Sequence, residues 1–372
     1  MIIAVNTRFF GETQADDLSN FLFECLSRLT EKYPQHQFIY IFDKPFEKNL
    51  IFAKNVTTVI TGPETKNILL TQYWFNYKIP AVLRKHKADV FISLDGICSL
   101  RTKLPQCLFV HDLFFLQYPQ LLKRAQILFF KKFMLQFLAK VKTIATVSQF
   151  HKSAIVDQYK INADKIDVVY VGINKKFTSI VSEGRETIKE KYTDGKEYFF
   201  SPHSSHLNNN LINLLKAFSF FKKRQKSNMM LLIAGKTNEG FKKELETFKF
   251  RNEVSLLENL SKEELAKITA AAYAMVYPVF YDSLAIAPLQ AMQCEVPVVS
   301  SNTGALRELC GDAALYFNPE DFKDMAEKMM LVFKDENKAK ELVRAGKIQS
   351  QRYDWDKTAD LLWQSLLKAI NS

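Results

Sequence analysis

Glycine-rich phosphate loops are missing from this chain. Its 372 residues include only 11 glycines, and none of the patterns G-x-G-x-x-G, G-x-x-x-x-G-K-[ST] or G-x-S-x-G occurs. The dinucleotide fingerprint, the P-loop and the nucleophile elbow all need glycine for close backbone approach, so those three classes are excluded. Cysteine is sparse as well. Cys25, Cys98, Cys107, Cys294 and Cys310 are odd in number and form no C-x-x-C pair, so neither a zinc site nor a disulfide framework is indicated and a reducing compartment is expected. No metal-ligand cluster stands out, and no apolar run approaches the roughly 20 residues that span a bilayer. The opening MIIAVNTRFF lacks the basic start and long apolar core of a signal peptide and reads as a first strand. No short-period repeat or low-complexity segment is present.

What the chain does have is an ordinary globular composition, 47% hydrophobic and 24% charged, with 31 Phe and 14 Tyr. Its length predicts two domains. The formal net charge is +11. Such a surplus favours anionic partners, among them phosphorylated substrates, anionic lipid and nucleic acid, although general lysine richness would produce it too. No nucleic-acid reader motif accompanies the charge, so no nucleic acid is expected as a partner.

Short buried strands alternate with helical periods along the chain. Strands are predicted at 2–5, 38–42, 56–60, 90–93, 107–110, 144–147 and 166–169. A helix carries Phe21, Leu22, Cys25, Leu26 and Leu29 on one face, and an aromatic-rich helix at 69–87 is interrupted near Pro80. Residues 174–196 are charge-rich and read as a linker. The alternation restarts with strands at 198–201, 229–233, 254–257, 274–277 and 297–300, then a further short strand, and three helices follow Pro319. Alternation at this spacing predicts two Rossmann-like, doubly wound parallel-sheet α/β domains facing a cleft. The boundaries are 1–173 for the first domain, joined by the last helix (355–372), and 197–354 for the second.

Candidate chemistry collects where strands end. The stretch from Tyr277 to Pro319 reads strand, loop, helix, strand, loop, helix, strand. Asp282 and Ser283 have N-cap chemistry there, Leu284 follows, and Gln290 lies on the helix; helix starts beside strand ends bind anions and nucleotides. His111 and Asp112 follow the buried run CLFV and can orient a hydroxyl or stabilise charge, or form a hydrogen-bonded pair in the core. Asp95-Gly96 follows FISL but also simply makes turns. Ser148 is expected to cap the next helix. Residues 122–142, LKRAQILFFKKFMLQFLAKVK, hold six basic residues and no acidic one. Ile127, Phe130, Met134, Phe137, Leu138 and Val141 recur there at helical spacing, which suits either an anionic membrane surface or packing on the sheet.

These segments together carry a resemblance over nearly the whole chain. MIIAVNTR, VHDLFF, ATVSQFHKSAIVDQY, KIDVVYVGIN, NLINLLKAF, LLIAGK and PLQAMQCEVPVVSSNTGALRELCGDAALYFNP resemble a family 4 glycosyltransferase of the two-Rossmann-domain, GT-B type. The resemblance implies retaining transfer of a hexose from a GDP- or UDP-linked sugar to a saccharide or lipid-linked acceptor, in cell-surface polysaccharide or lipopolysaccharide synthesis. It implies no metal and no cofactor beyond that donor, and a cytoplasmic protein, peripheral at the inner face of the membrane. His111 and Asp282 would be the catalytic residues, with Asp112, Ser204, Asn209, Ser283, Leu284 and Gln290 binding substrate.

Three departures from the family pattern stand beside the matches. Where the family has an acid, seven residues and a Glu, this chain has Asp282 and Gln290, with Ser283 and Ala285 in place of glycines. Where the family places an Arg or Ser and then a Lys against the donor diphosphate, Ser204 and Asn209 stand, and no Lys or Arg occurs from Ser201 to Asn213. Asp17 and Ser19 occupy a loop that is often glycine-bearing. Drift at three sites in one direction opens two other readings: a catalytically impaired, glycosyltransferase-like partner or regulator, and another GT-B activity such as a sugar epimerase.

Overall fold

The structure, a computed structural model, describes residues 1–10, 17–46, 51, 53–202 and 210–372. It divides into two compact units, one of Met1–Gly172 with Asp354–Ser372 and one of Ile173–Tyr353.

The first unit holds β1 (Ile2–Asn6), α1 (Asp17–Lys32), β2 (Gln37–Phe42), β3 (Val56–Ile60), α2 (Ile68–Tyr73), α3 (Ile79–Lys85), β4 (Val90–Ser93), β5 (Gln106–Val110), α4 (Phe114–Gln117), α5 (Arg124–Lys140), β6 (Thr143–Thr146), α6 (Gln149–Tyr159) and β7 (Ile166–Val168). Its seven strands are parallel in the order β3-β2-β1-β4-β5-β6-β7. Helices cover both faces of such a sheet, which is why its strands read as nearly unbroken apolar runs. Ala4, Phe91, Leu108 and Ile144 join a core with Trp74, Phe75, Phe129 and Phe137 from the α2–α3 stretch and α5. Phe109, one residue on from Leu108, points the other way and meets Phe21 of α1, their rings 4.5 Å apart.

Two expectations about helices change in detail. The interruption near Pro80 is a π-helical turn, Trp74–Lys78, between α2 and α3. Proline has no N–H for the carbonyl one turn back, and a wider turn absorbs the mismatch. On α5, Met134, Phe137 and Leu138 are buried, as is Val141 just beyond it, so of the two readings of this apolar face it is packing on the sheet that the structure shows.

The second unit contains α7 (Ser182–Thr193), β8 (Tyr198–Pro202), α8 (Leu211–Gln225), β9 (Met230–Ala234), α9 (Glu239–Thr247), β10 (Val254–Leu257), α10 (Lys262–Ala271), β11 (Ala274–Tyr277), α11 (Ile286–Gln293), β12 (Val298–Ser301), α12 (Leu306–Cys310), β13 (Ala314–Phe317), α13 (Phe322–Lys334) and α14 (Glu336–Ser350). Its six parallel strands run in the order β10-β9-β8-β11-β12-β13. Every strand read from the sequence is present, within one residue at each end. The segment 174–196, expected as a linker, contains α7, which packs against α10. Its charges pair rather than stay solvated: Lys189, itself buried, bonds Glu186 at 2.9 Å and Glu197 at 2.6 Å. Long Lys stems cover apolar surface while their heads find partners, and this is how a charge-rich stretch becomes a packed helix.

The last helix, α15 (Trp355–Asn371), belongs to the first unit. It packs on α1 and the central strands, with Trp363 stacked on Tyr33 at 3.8 Å. Thr358 donates to the Tyr170 carbonyl at 2.8 Å and Thr143 to that of Ser365 at 3.0 Å. Gly172 permits the close approach: a Cβ there would lie 2.4 Å from the Trp355 amide nitrogen and 2.7 Å from its Cα. Backbone cannot move aside as a side chain can, so Gly172→Ala is expected to lower unfolding stability by about 2–3 kcal/mol, measured by urea denaturation.

Candidate functional site

In an open parallel sheet, the crevice for a ligand lies beyond the carboxyl ends of the strands, where the strand order reverses. In the second unit that point falls between β8 and β11, and in the first between β1 and β4.

In the second unit the chain leaves β11 at Tyr277 and turns at Pro278, whose carbonyl accepts from the Asn210 amide at 2.9 Å. The start of α8 is thereby tied to the loop after β11. Ser301, at the end of β12, bonds the Val279 amide at 3.0 Å from the other side. Asp282 sits at the centre of this loop. Its Oδ1 accepts from the Leu284 amide at 2.9 Å, and its Oδ2 from the Ala285 amide at 3.2 Å and the Tyr277 hydroxyl at 2.8 Å. Withdrawal from solvent pushes the Asp282 carboxyl up from its ordinary value, while the donors from Leu284, Tyr277 and Ala285 oppose that shift. Gly304, at φ +51°, closes over the loop, and a Cβ on it would lie 3.0 Å from the Asp282 carbonyl oxygen.

Ser283 and Leu284 are buried in this loop, and Gln290 is half-buried on α11. Helix starts beside strand ends bind anions through their free amides. The structure gives those of Leu284 and Ala285 to the Asp282 carboxylate, and Pro288 has no N–H. The helix-start donors left are Ile286 and Ala287. Ser204 and Asn209 lie in 203–209, outside the described residues.

Ala285, the residue just before α11, has φ 52° and ψ 27°, the left-handed region that favours glycine. For a residue with a Cβ this conformation costs about 1–2 kcal/mol. A glycine would relieve the strain but forfeit about 0.8 kcal/mol for the buried methyl and about 0.5–1 kcal/mol in chain entropy. Ala285→Gly is therefore expected to change stability by less than about 1 kcal/mol, whereas Ala285→Val, β-branched at positive φ, is expected to cost more than about 2 kcal/mol in the same denaturation assay.

In the first unit the switch point holds a buried polar network. Arg8 Nε donates to Asp95 Oδ2 at 2.5 Å, with both side chains almost fully buried. Asn6 Nδ2 reaches the same oxygen at 2.8 Å and Ser93 Oγ at 3.1 Å, and Ser93 donates to Asp95 Oδ1 at 3.0 Å. Arg8 also bonds Thr65, which donates to Asp43 at 2.6 Å. Sequence reasoning weighed Asp95 mainly as a turn residue and passed over Asn6 and Arg8. The signal available was the polar run Asn-Thr-Arg directly after the first buried strand.

His111 follows β5 and is half-buried. Its Nε2 lies 2.7 Å from the Leu94 carbonyl, which can only accept, so Nε2 carries a proton. Phe109 and Phe21 meet the imidazole edge-to-face at 4.6 and 5.8 Å. Asp112 accepts from the Phe114 amide at 3.0 Å and so fixes the turn into α4. Ser148 caps α6 as expected, accepting from the His151 amide at 3.2 Å, and it also contacts His151 Nδ1 at 2.6 Å. Burial, with His111 nearby, lowers the His151 imidazole from the usual 6.5 to about 4.

A folded-state value below the unfolded one means that the unfolded chain takes up the proton first. The stability tied to His151 is thus complete above about pH 6.5 and lost as the pH falls toward 4. Between pH 7.5 and pH 5 the loss comes to about 2 kcal/mol. His151→Gln should remove that part of the pH dependence, read as the difference in unfolding free energy between the two pH values.

Among the described residues no group of three His, Cys, Asp or Glu side chains is placed to hold a metal ion, and no helix is long and apolar enough to cross a membrane. A cavity of about 460 Å³ lies among α8, α9 and the start of α13, with Lys216, Phe220, Phe248 and Phe322 in its wall, and it contains none of the site residues.

Comparison with known proteins agrees with this geometry. Residues 184–349 match the family described as glycosyl transferases group 1, and residues 27–177 match glycosyltransferase family 4. O-antigen chain mannosyltransferase RfbU of Salmonella typhimurium is 24% identical over 287 residues, 75% of each chain. O-antigen chain mannosyltransferase B of Escherichia coli is 24% identical over 252 residues, 66% of each chain. Among solved structures, WaaG, a glycosyltransferase involved in lipopolysaccharide biosynthesis, superposes with a TM-score of 0.78 at 11% identity over 97% of this chain and 98% of its own. Anabaena HepE with UDP-glucose gives 0.74 at 16% identity over 99% of both chains.

Proposed function

The chain belongs to the family 4 glycosyltransferases of GT-B architecture, and from that premise we propose the reaction it carries out. It moves a hexose from a GDP- or UDP-linked sugar to a hydroxyl of a saccharide or lipid-linked saccharide, with retention at the anomeric carbon and without a metal ion. The bond from that carbon to the diphosphate oxygen breaks, a bond to the acceptor oxygen forms, and the acceptor proton is released. Polysaccharide or lipopolysaccharide synthesis is the process, as the names of the mannosyltransferase relatives suggest. The protein works in the cytoplasm, peripheral at the inner face of the membrane where lipid-linked acceptors lie.

The observation that carries this reading is Asp282, held by three donors at the start of α11 beside the switch point, within the group 1 match. With the Ser283 amide also favouring its charged form, the Asp282 carboxylate is held in one orientation, and in this reading it meets a hydroxyl of the transferred sugar. In this reading Gln290 bonds the ribose, Ser204 and Asn209 give neutral donors to the diphosphate, and Ile286 and Ala287 supply amides with the helix dipole behind them. Ser283 and Leu284 shape the pocket wall. In this reading His111 of the first unit bonds the sugar, and Asp112 holds the turn beside it.

Calorimetric titration with GDP and UDP nucleotides tests the reading. Binding is expected in the micromolar to low-millimolar range. Asp282→Ala should reduce kcat/KM for transfer by roughly 10- to 150-fold, the worth of about 1.5–3 kcal/mol for a hydrogen bond to a charged group. A folded protein that binds no nucleotide diphosphate would refute the transferase reading, and nucleotide binding without any transfer would point to the impaired-partner reading.

A further inference from the structure

The cavity beside α8 holds none of the site residues, yet its size and chemistry are those of a ligand site. Helix α8 packs closely along α13 but only lightly on α9, which leaves about 460 Å³ of space among the three. Residues at every third or fourth position of α8, from Ile212 to Lys223, line one side, and the end of α9 lines the other. That volume falls within the range of about 300–1,000 Å³ usual for small-ligand sites, which combine apolar walls with a few placed polar groups.

The wall has two kinds of residue that no single simple ligand would use. Phe220 of α8, Phe248 just past α9 and Phe322 at the start of α13 are half-buried, packed against the core on one side and lining the cavity on the other. Lys216, Lys223 and Lys249 stand exposed in the same wall, beside a single acid, Glu244. Elsewhere in this unit lysines pair, as Lys189 does with Glu197 and Lys347 with Glu295. Among the described residues these three have no carboxylate partner, and Glu244 has no cation. A wholly apolar occupant would gain nothing from the lysines, and a bare phosphate ion nothing from the rings. A ring with an apolar face and an anionic substituent uses both, and Lys216 and Lys223 flank Phe220 along α8 in the manner such a ligand needs. The remaining polar side chains are Ser219, Thr247 and Glu244, which suit hydroxyl groups, and no Asn or Gln lines the cavity to read the edge of a nucleobase.

We propose that this cavity is a second, non-catalytic binding site for an acidic saccharide, a pyranose bearing a phosphate or carboxylate group. The C–H face of the sugar lies on the phenylalanine rings, the lysines at the rim meet the anionic group, and Ser219, Thr247 and Glu244 take the hydroxyls. This chemistry has two sources, a free sugar phosphate and an acidic unit within a polysaccharide. The site lies apart from the Asp282 loop, and its test uses neither nucleotide sugar nor acceptor.

The experiment is calorimetric titration of the full chain with glucose 6-phosphate, tetragalacturonate, glucose, inorganic phosphate and AMP. Glucose 6-phosphate or tetragalacturonate is expected to bind with a Kd of about 5 mM or tighter, and the tighter of the two identifies the source. Glucose and inorganic phosphate each keep half of the recognition and should bind at least about tenfold more weakly. Lys216→Glu with Lys223→Glu, both at the surface, should weaken binding of the acidic saccharide about 100-fold or more. Phe220→Leu keeps the apolar volume but removes the ring, and should weaken it about threefold or more. Asp282→Ala, at the other site, should leave it within about twofold. Circular dichroism would verify that the variants fold. The proposal is overturned if neither acidic saccharide binds, if glucose binds as tightly as glucose 6-phosphate, or if the lysine reversal has no effect. It is equally overturned if AMP binds the cavity as tightly as the saccharides, or if Asp282→Ala weakens binding as much as the lysine reversal, which would place the ligand at the donor site.

Discussion

A parallel sheet covered by helices on both faces leaves a chain few places to keep a polar side chain. Burying one inside costs free energy unless a partner is found, so strand interiors become apolar and chemistry moves to the strand ends. Both units obey this constraint. Asn6, Ser93, Asp95, His111 and Ser148 all lie at or just beyond the carboxyl ends of β1, β4, β5 and β6. Ser301 and Asp282 do the same beside β12 and β11. The sheet therefore decides where a site can form before any residue decides what the site does.

The two edges solve the same problem by different means. In the first unit an ion pair is taken out of water, Asn6 and Ser93 donate to the carboxylate, and Thr65 accepts from the guanidinium. Removing either partner would strand a buried charge, at a cost of about 3–5 kcal/mol, so the network acts as a clamp between β1 and β4. In the second unit the acid is Asp282. Its carboxylate turns back onto the amides of its own loop, and Ala285 accepts a left-handed backbone to complete the turn. The carboxylate is thereby preorganised but nearly saturated.

Which parts were legible in the sequence follows from the same physics. The central strands could be read because burial on both faces leaves no alternative to apolar residues, and the edge strand β3 from its β-branched run, so that each strand among the described residues was found. The helix at 182–193 was not, because its stabilisation comes from Lys189 meeting Glu197 of the next segment, a tertiary pairing invisible to local pattern. Asp282 was legible as a cap, but the direction of its carboxylate was not, since nothing in D-S-L-A states that Ala285 takes positive φ. Arg8 and Asp95 stand 87 residues apart, and only the strand order brings β1 beside β4. The basic helix was recognised as amphipathic, but its two apolar sides could not be told apart without knowing which one faced the sheet.

Charge shows most clearly that position outweighs composition. Between Ser201 and Asn213, where the family uses cations against a diphosphate, this chain has none, although it carries 51 Lys and Arg residues overall. A neutral hydrogen bond is worth about 0.5–1.5 kcal/mol and a charged one about 1.5–3, so a cation's place in the chain counts for more than the number of cations. The surplus cations stand instead on the outer side of α2, α3 and α5 of the first unit.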